Sequence, residues 1–303
     1  LNKIQSNFCL LCVTLCWSTE VILLKNIPAE IPSISITAMT NFIGCLILIA
    51  IFFKKIFRPI TKKNLLRVAG LGILNMTYNL LMLFGLQYLN VSTGIFTLSM
   101  TTVVLPVLLL LRRQKIRINT WLGVGLILIG ILLAVNLHTD LSQLPGIGIM
   151  LVVCLLRAWY IIKLNEAAKE MEPIQLSALI LGVVAVLSFL IWLFIEPRTV
   201  FALSYSSEML SSIFVYSYFI CAFATVINIF AQKQASARTA SVIYSLEIVF
   251  STIFSATLPP ILVDRITLTP SLIIGCVLVA LGAFLSEFDV TAFVVAWKRR
   301  WSA

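Results

Sequence analysis

The chain has 303 residues, 60% of them hydrophobic and 11% charged, with a mean hydropathy of +1.07 and a formal net charge of +10. A soluble domain cannot hide that much apolar surface, whereas membrane spans of about 20 residues with short loops can, and the length allows about ten of them. No polar stretch is long enough for a separate soluble domain, and no Gly-rich phosphate cradle, Ser/His/Asp grouping or His-rich cluster points to catalysis.

The apolar runs predict an all-α integral membrane protein with helices at about 7–25, 33–53, 68–88, 93–111, 121–137, 146–164, 175–195, 211–231, 239–258 and 271–288. The first run has no small-residue cleavage site and carries Trp17, Glu20 and Lys25, so it reads as a retained span, not a signal peptide. Its Cys9-x-x-Cys12 continues to Cys16 on the same helical face among Leu and Val. All seven cysteines lie in apolar runs, which fits buried, reduced thiols better than a metal or redox pair. Glu20 shares a face with Trp17, about 18 Å along the first helix. It either reaches the outer interface or pairs with Lys25, or else it lines the outer part of a pathway and carries a proton.

The connectors alternate in charge. Lys54, Lys55, Arg58, Lys62, Lys63 and Arg67 lie between the second and third helices, and Arg112, Arg113, Lys115 and Arg117 between the fourth and fifth. Lys163 and Lys169 follow the sixth helix, Lys233 and Arg238 the eighth, while Lys3 and the Lys298-Arg-Arg300 cluster occupy the two ends. Only Lys25, Arg198 and Arg265 fall on the opposite side, and this bias puts both termini in the cytoplasm. In the tail 291–303, Trp297 and Trp301 flank the basic cluster, which suits a membrane interface and not a nucleic-acid partner.

Polar residues form stripes. The third helix offers Asn75, Tyr78, Asn79 and Met82 on one face, the fourth Thr97 and Thr101, and the eighth Tyr218, Cys221, Thr225 and Asn228 at i, i+3, i+7, i+10. Any one of these could be bundle glue through interhelical hydrogen bonds; three stripes together favour a polar cavity. His138, the only histidine, follows the fifth helix as a solvated loop residue, and a lone His makes no metal site.

Two charges are set deep in apolar helices. Counted from the basic side, Arg157 lies about 10 Å into the sixth helix and Glu247 about 12 Å into the ninth. Each costs about 2.5–3.5 kcal/mol to insert, so such residues face protein or water. Tyr244, Glu247 and Ser251 share one helical face. Matching depth admits a structural ion pair, contact of one or both charges with a substrate, or snorkelling of Arg157 toward the cytoplasm. On the second reading Arg157 holds a carboxylate and Glu247 or Glu20 takes an ammonium or a proton. Trp17, Tyr78, Tyr160 and Tyr244 then wall the cavity.

Gly123 and Gly130 are seven residues apart, as are Gly275 and Gly282, a spacing that lets another helix approach closely. An odd number of spans per half forces the halves into opposite orientations, a common transporter plan. The expected division is 1–140, 141–290 and the basic tail.

Trp17-Ser-Thr-Glu-Val-Ile-Leu-Leu-Lys25 resembles the Trp-Gly-x6-Lys opening of the EamA-type drug/metabolite transporter superfamily. Gly85-Leu-Gln-Tyr88 is similar to the Ala-Leu-x-Tyr closing that family's third helix, and Ser245-Leu-Glu-Ile-Val-Phe250 to its Ser-Leu-Glu-Pro-Val-Phe. Trp121–Gly130 and Ile274–Gly282 look like its fifth and tenth helices. Departures are Ser18 for Gly, Asn41 for Arg, Ile248 for Pro, Gln114 for Glu, Arg157 for Trp, and Pro106 about a turn from its usual place. They bear on substrate and coupling more than on fold. The resemblance implies a ten-helix inverted-repeat carrier of small metabolites or drugs, often outward, in a bacterial inner membrane. It implies no cofactor and no enzymatic activity. The side chains suit an amino acid or related zwitterion, with proton coupling as an option. Alternatives are a nucleotide-sugar or sugar-phosphate carrier, which would be expected to use more cavity Lys and Arg, a channel, or a membrane enzyme.

Overall fold

The computed structural model describes residues 2–19, 31–89, 94, 97–134, 143–202, 206–258 and 268–287. Glu20, Lys25, His138, Arg265 and the tail from 288 onward lie outside them. All secondary structure among the described residues is helical. The first half holds α1 (Lys3–Trp17), α2 (Ser33–Ile56), α3 (Lys62–Leu86), α4 (Thr101–Leu111) and α5 (Ile118–Ala134). The second holds α6 (Leu144–Glu170), α7 (Pro173–Ile195), the short α8 (Pro197–Ala202) and α9 (Ser207–Tyr216). A π-helical segment (Ser217–Ala224), α10 (Thr225–Gln232), α11 (Ala237–Tyr244), α12 (Glu247–Thr257) and α13 (Pro270–Glu287) complete it. Among the described residues six helical stretches are long and apolar enough to cross a membrane, with shorter apolar helices at Thr97–Leu111, Ile118–Leu133 and Pro270–Ser286.

Helices entering from the basic end are started by side-chain caps. Asn2, Thr61, Glu172 and Ser236 each accept from the backbone N–H three residues on, satisfying a donor that the first turn leaves open. Pro173, just inside α7, adds a φ already suited to the helix.

The packing is two-fold. α2 lies on α7 and α5 on α13; α3 on α6 is matched by α10 on α1, and α4 on α6 by α11 on α1. At the α5–α13 crossing the backbones approach closely, and the paired glycines make it possible. A Cβ on Gly123 would stand 2.5 Å from the Gly282 carbonyl oxygen, and one on Gly130 2.6 Å from that of Gly275. The order of these pairs makes the two helices antiparallel.

Three helices differ from the continuous runs expected. The ninth, expected over 239–258, breaks after Tyr244. Ser245 and Leu246 N–H groups bond back to Val242 and Ile243 at i−3, and Val249 and Phe250 both return to the Leu246 carbonyl. The fourth has the same break at Met100: its N–H bonds Thr97, and Val103 and Val104 return to its carbonyl. Ser99-Met100-Thr101 and Ser245-Leu246-Glu247 are thus equivalent points in the two halves, with Thr101 standing where the second half has Glu247. In the eighth, the π segment inserts an extra residue per turn and rotates everything before it relative to α10.

The sixth helix, expected to end near 164, runs on to Glu170. Before Arg157 it is buried along one stripe (Gly146, Met150, Val153, Cys154). Beyond Arg157 burial reaches most of its circumference, from Ala158 through Tyr160, Ile162 and Leu164 to Ala168. The largest apolar cluster gathers here with Leu105, Leu109, Ile229, Ala231, Ala240 and Ile243, so the bundle is packed shut toward its basic end.

Candidate functional site: a charged pair among tyrosines

Arg157 on α6 and Glu247 on the first turn of α12 face each other across the middle of the bundle. Arg157 Nη2 stands 3.8 Å from Glu247 Oε2, and the two side chains keep 17% and 33% of their surface accessible. A charge-assisted hydrogen bond closes to about 2.7–2.9 Å, so this is an ion pair held short of a direct hydrogen bond. The break at Ser245–Leu246 makes this geometry. It starts a new helix at Glu247, whose carboxylate then lies in the first turn, where free N–H groups favour a negative charge. Ser18, the residue in place of the family glycine, secures the break: its hydroxyl donates to Thr14 O at 2.8 Å and reaches Glu247 O at 3.3 Å.

Aromatic rings wall the pair. Trp17 and Tyr244 meet with ring centroids 5.0 Å apart, and Tyr78 and Tyr160 at 5.4 Å. The Tyr160 hydroxyl interacts with Asn75, and the Tyr78 and Tyr244 hydroxyls lie close by. Asn75 Nδ2 donates to Tyr78 Oη at 3.1 Å, and Asn79 Nδ2 donates to Asn75 Oδ1 at 3.0 Å. Thr97 and Thr101, both buried, flank the fourth-helix break. The Cys154 thiol donates to Thr97 O at 3.0 Å, with Thr101 and Arg157 also beside it.

Toward the basic end the site is floored by a polar triad. Tyr244 Oη donates to Asn228 Oδ1, and Gln232 Nε2 lies 3.1 Å from Asn228 Oδ1 and 3.0 Å from Tyr244 Oη. Below it Asn165 Nδ2 donates to Gln232 O and Ala235 O, both at 2.8 Å, tying α6 to the end of α10. Gln232 and Asn165 were not foreseen, because both fell just past the expected helix ends. Their signal is that each is an uncharged polar residue with no loop around it.

Of the expected cavity residues, Trp17, Asn75, Tyr78, Asn79, Thr97, Thr101, Arg157, Tyr160, Asn228, Tyr244 and Glu247 are gathered at this level of the bundle. Glu20 lies outside the described residues. Tyr218 is elsewhere: it is 41% exposed and packs edge-on against Phe219 at 5.0 Å on the outer surface. The expected i, i+3, i+7, i+10 stripe assumed an unbroken α-helix, and the π segment between Tyr218 and Asn228 turns the two onto different faces.

Ion pairs hold the basic end. Arg67 on α3 makes a two-pronged contact with Glu170 on α6, and Arg112 Nη1 donates to Glu166 Oε1 at 2.6 Å. Both join the first half to the second. Arg112 and Lys163 also stand over the Trp159 ring at 4.8 and 5.6 Å.

Two copies of one family model match the chain, over residues 5–136 and 144–288; the family is described as the EamA-like transporter family. A solved crystal structure that is 17% identical superimposes with a TM-score of 0.75, covering 93% of this chain and 96% of its own, which shows a shared fold. No curated protein sequence matches. The chain belongs to the EamA-like transporter family, within the drug/metabolite transporter superfamily, and is a multi-pass membrane transporter.

Proposed function

We propose that the protein is a secondary-active carrier that exports an amino acid or related zwitterion by alternating access. The loose Arg157–Glu247 pair is the observation that carries this reading. A structural lock would close to hydrogen-bonding distance and shed its accessible surface. A pair at 3.8 Å that keeps part of its side-chain surface accessible can exchange its internal attraction for a substrate's carboxylate on Arg157 and ammonium, or a proton, on Glu247. Trp17, Tyr78, Tyr160 and Tyr244 supply the apolar wall for a side chain. The helix breaks at Met100 and Ser245–Leu246 fit the same role, since discontinuous helices at mid-membrane are how many carriers build such sites. Packing is dense on the basic side of the pair, which corresponds to a state closed to that side. By charge bias that side is cytoplasmic, with both termini there and the host membrane a bacterial inner membrane. The halves 1–140 and 141–290 are the two bodies that rock. Members of this family are transporters and not enzymes.

The test is binding. Purified protein is screened by thermal shift against amino acids, sugar phosphates and nucleotide sugars, with Glu247→Gln and Arg157→Gln alongside. A zwitterion that stabilises wild type and neither variant supports the reading. Stabilisation by sugar phosphates alone moves it to the other carrier class, and undiminished shifts in both variants remove the pair from the site.

A further inference from the structure

A cavity of about 250 Å³ opens at the basic end between the α4–α5 connector, the last turns of α6 and the start of α11. It is not the mouth of the charged pair. Lys169 lies twelve residues beyond Arg157 on α6, about 18 Å along the helix, and the packed layer around Leu164 and Ala168 intervenes. Its uncharged lining mixes apolar Leu109, Ile116, Ile162 and Ala237 with polar Gln114, Asn165 and Ser236. Lys115, Lys169 and Arg238 converge on its rim together with one acid, Glu166.

The charges do not balance. Glu166 is already engaged, accepting from Arg112 at 2.6 Å and from Lys163 at 2.9 Å. Among the described residues Lys115, Lys169 and Arg238 have no carboxylate partner, and the Arg238 Nε is buried with no hydrogen-bond acceptor. A buried, charged donor left open costs more than a neutral one, so an acceptor is expected there. Local backbone fixes Lys115 in place. Arg113 takes φ 59°, and Gln114 N–H and Arg113 N–H bond back to Leu109 and Leu110 carbonyls at 3.0 and 2.8 Å. This double cap turns the chain sharply, and Lys115 comes out of it on the cavity rim.

We infer that this cavity is a binding site for a phosphate-bearing anion, held by Lys115, Lys169 and Arg238. Its mixed polar and apolar lining and its place at the end of the apolar helices suit a phospholipid headgroup with its glycerol, and a free phosphate shares the same recognition chemistry. The site joins the α4–α5 connector of the first half to α6 and α11 of the second, so an occupant ties the halves together on the basic face. The binding claim does not depend on what the central site carries.

The experiment uses the whole protein, first in neutral detergent and then in nanodiscs. Native mass spectrometry measures retention of phosphatidylglycerol against phosphatidylcholine, and thermal shift measures inorganic phosphate against chloride at equal ionic strength. The variants are Lys115→Gln with Lys169→Gln, Arg238→Gln alone, and the control Lys54→Gln with Lys55→Gln, also at the basic end but off the cavity. The expected result is preferential retention of phosphatidylglycerol, weakened about fivefold per charge removed from the cavity and unchanged in the control. A shift with inorganic phosphate that the cavity variants abolish, without lipid retention, supports the site and names the free ion as its source. Equal losses in control and cavity variants, or no preference for either phosphate ligand, overturn the proposal.

Discussion

Replacing Gly123 by Ala is the sharpest test of how the halves are joined. The added Cβ would lie 2.5 Å from Gly282 O, 2.7 Å from Ser286 Cβ and 2.9 Å from Ser286 N. Two of these are main-chain atoms that no rotamer can move. Ordinary contact begins near 3.4 Å, so α5 and α13 must part by about 1 Å at this crossing, and the Gly130–Gly275 crossing one heptad on is strained with it. Overpacking of this kind costs about 1–3 kcal/mol, against a helix-propensity gain of at most about 1 kcal/mol on replacing Gly by Ala. Two residues away, Gly125 has open space where its Cβ would go. Gly125→Ala keeps the gain without the clash and is neutral or stabilised by up to about 1 kcal/mol. Both variants can be unfolded side by side in mixed micelles by SDS titration, followed by tryptophan fluorescence. Gly123→Ala should unfold earlier than wild type and Gly125→Ala no earlier. Equal midpoints, or the reverse order, would refute the glycine seam.

Asn165→Leu keeps the branched shape but strips two donors from the Gln232 and Ala235 carbonyls, and it should cost about 1–3 kcal/mol in the same assay. Asn165→Asp, which cannot donate, should do no better. Arg113→Gly relieves a left-handed backbone at φ 59° and should stabilise by about 1 kcal/mol, whereas Arg113→Val should destabilise.

The sequence showed most where physical cost is highest. Four glycines at heptad spacing are legible because only a close crossing needs them, and the structure puts them at one. Arg157 and Glu247 are legible because a charge in an apolar helix must find protein or water, and counting residues inward set them at similar depth. Their loose spacing was not legible, since it follows from a helix break at Ser245–Leu246 that no Pro or Gly marks. The Ser-Met-Thr and Ser-Leu-Glu triplets at equivalent points of the two halves were the available sign of both breaks. Tyr218 shows the opposite limit. Its assignment rested on helical phase carried across ten residues, and one π turn is enough to change that phase. The expected end of α6 near 164 falls short because Lys163 and Lys169 read as following the helix. Burial against α10 and ion pairs to Arg67 and Arg112 extend the helix there instead.

The central claim is that Arg157 and Glu247 hold a substrate in a site that opens to one side of the membrane at a time. The most direct measurement is counterflow in proteoliposomes loaded with the zwitterion identified by thermal shift. Uptake of labelled substrate should saturate, should be accelerated by unlabelled substrate on the far side, and should fall to background in Glu247→Gln and Arg157→Gln. Flux that rises linearly with concentration, shows no trans-acceleration or survives both substitutions would contradict the account.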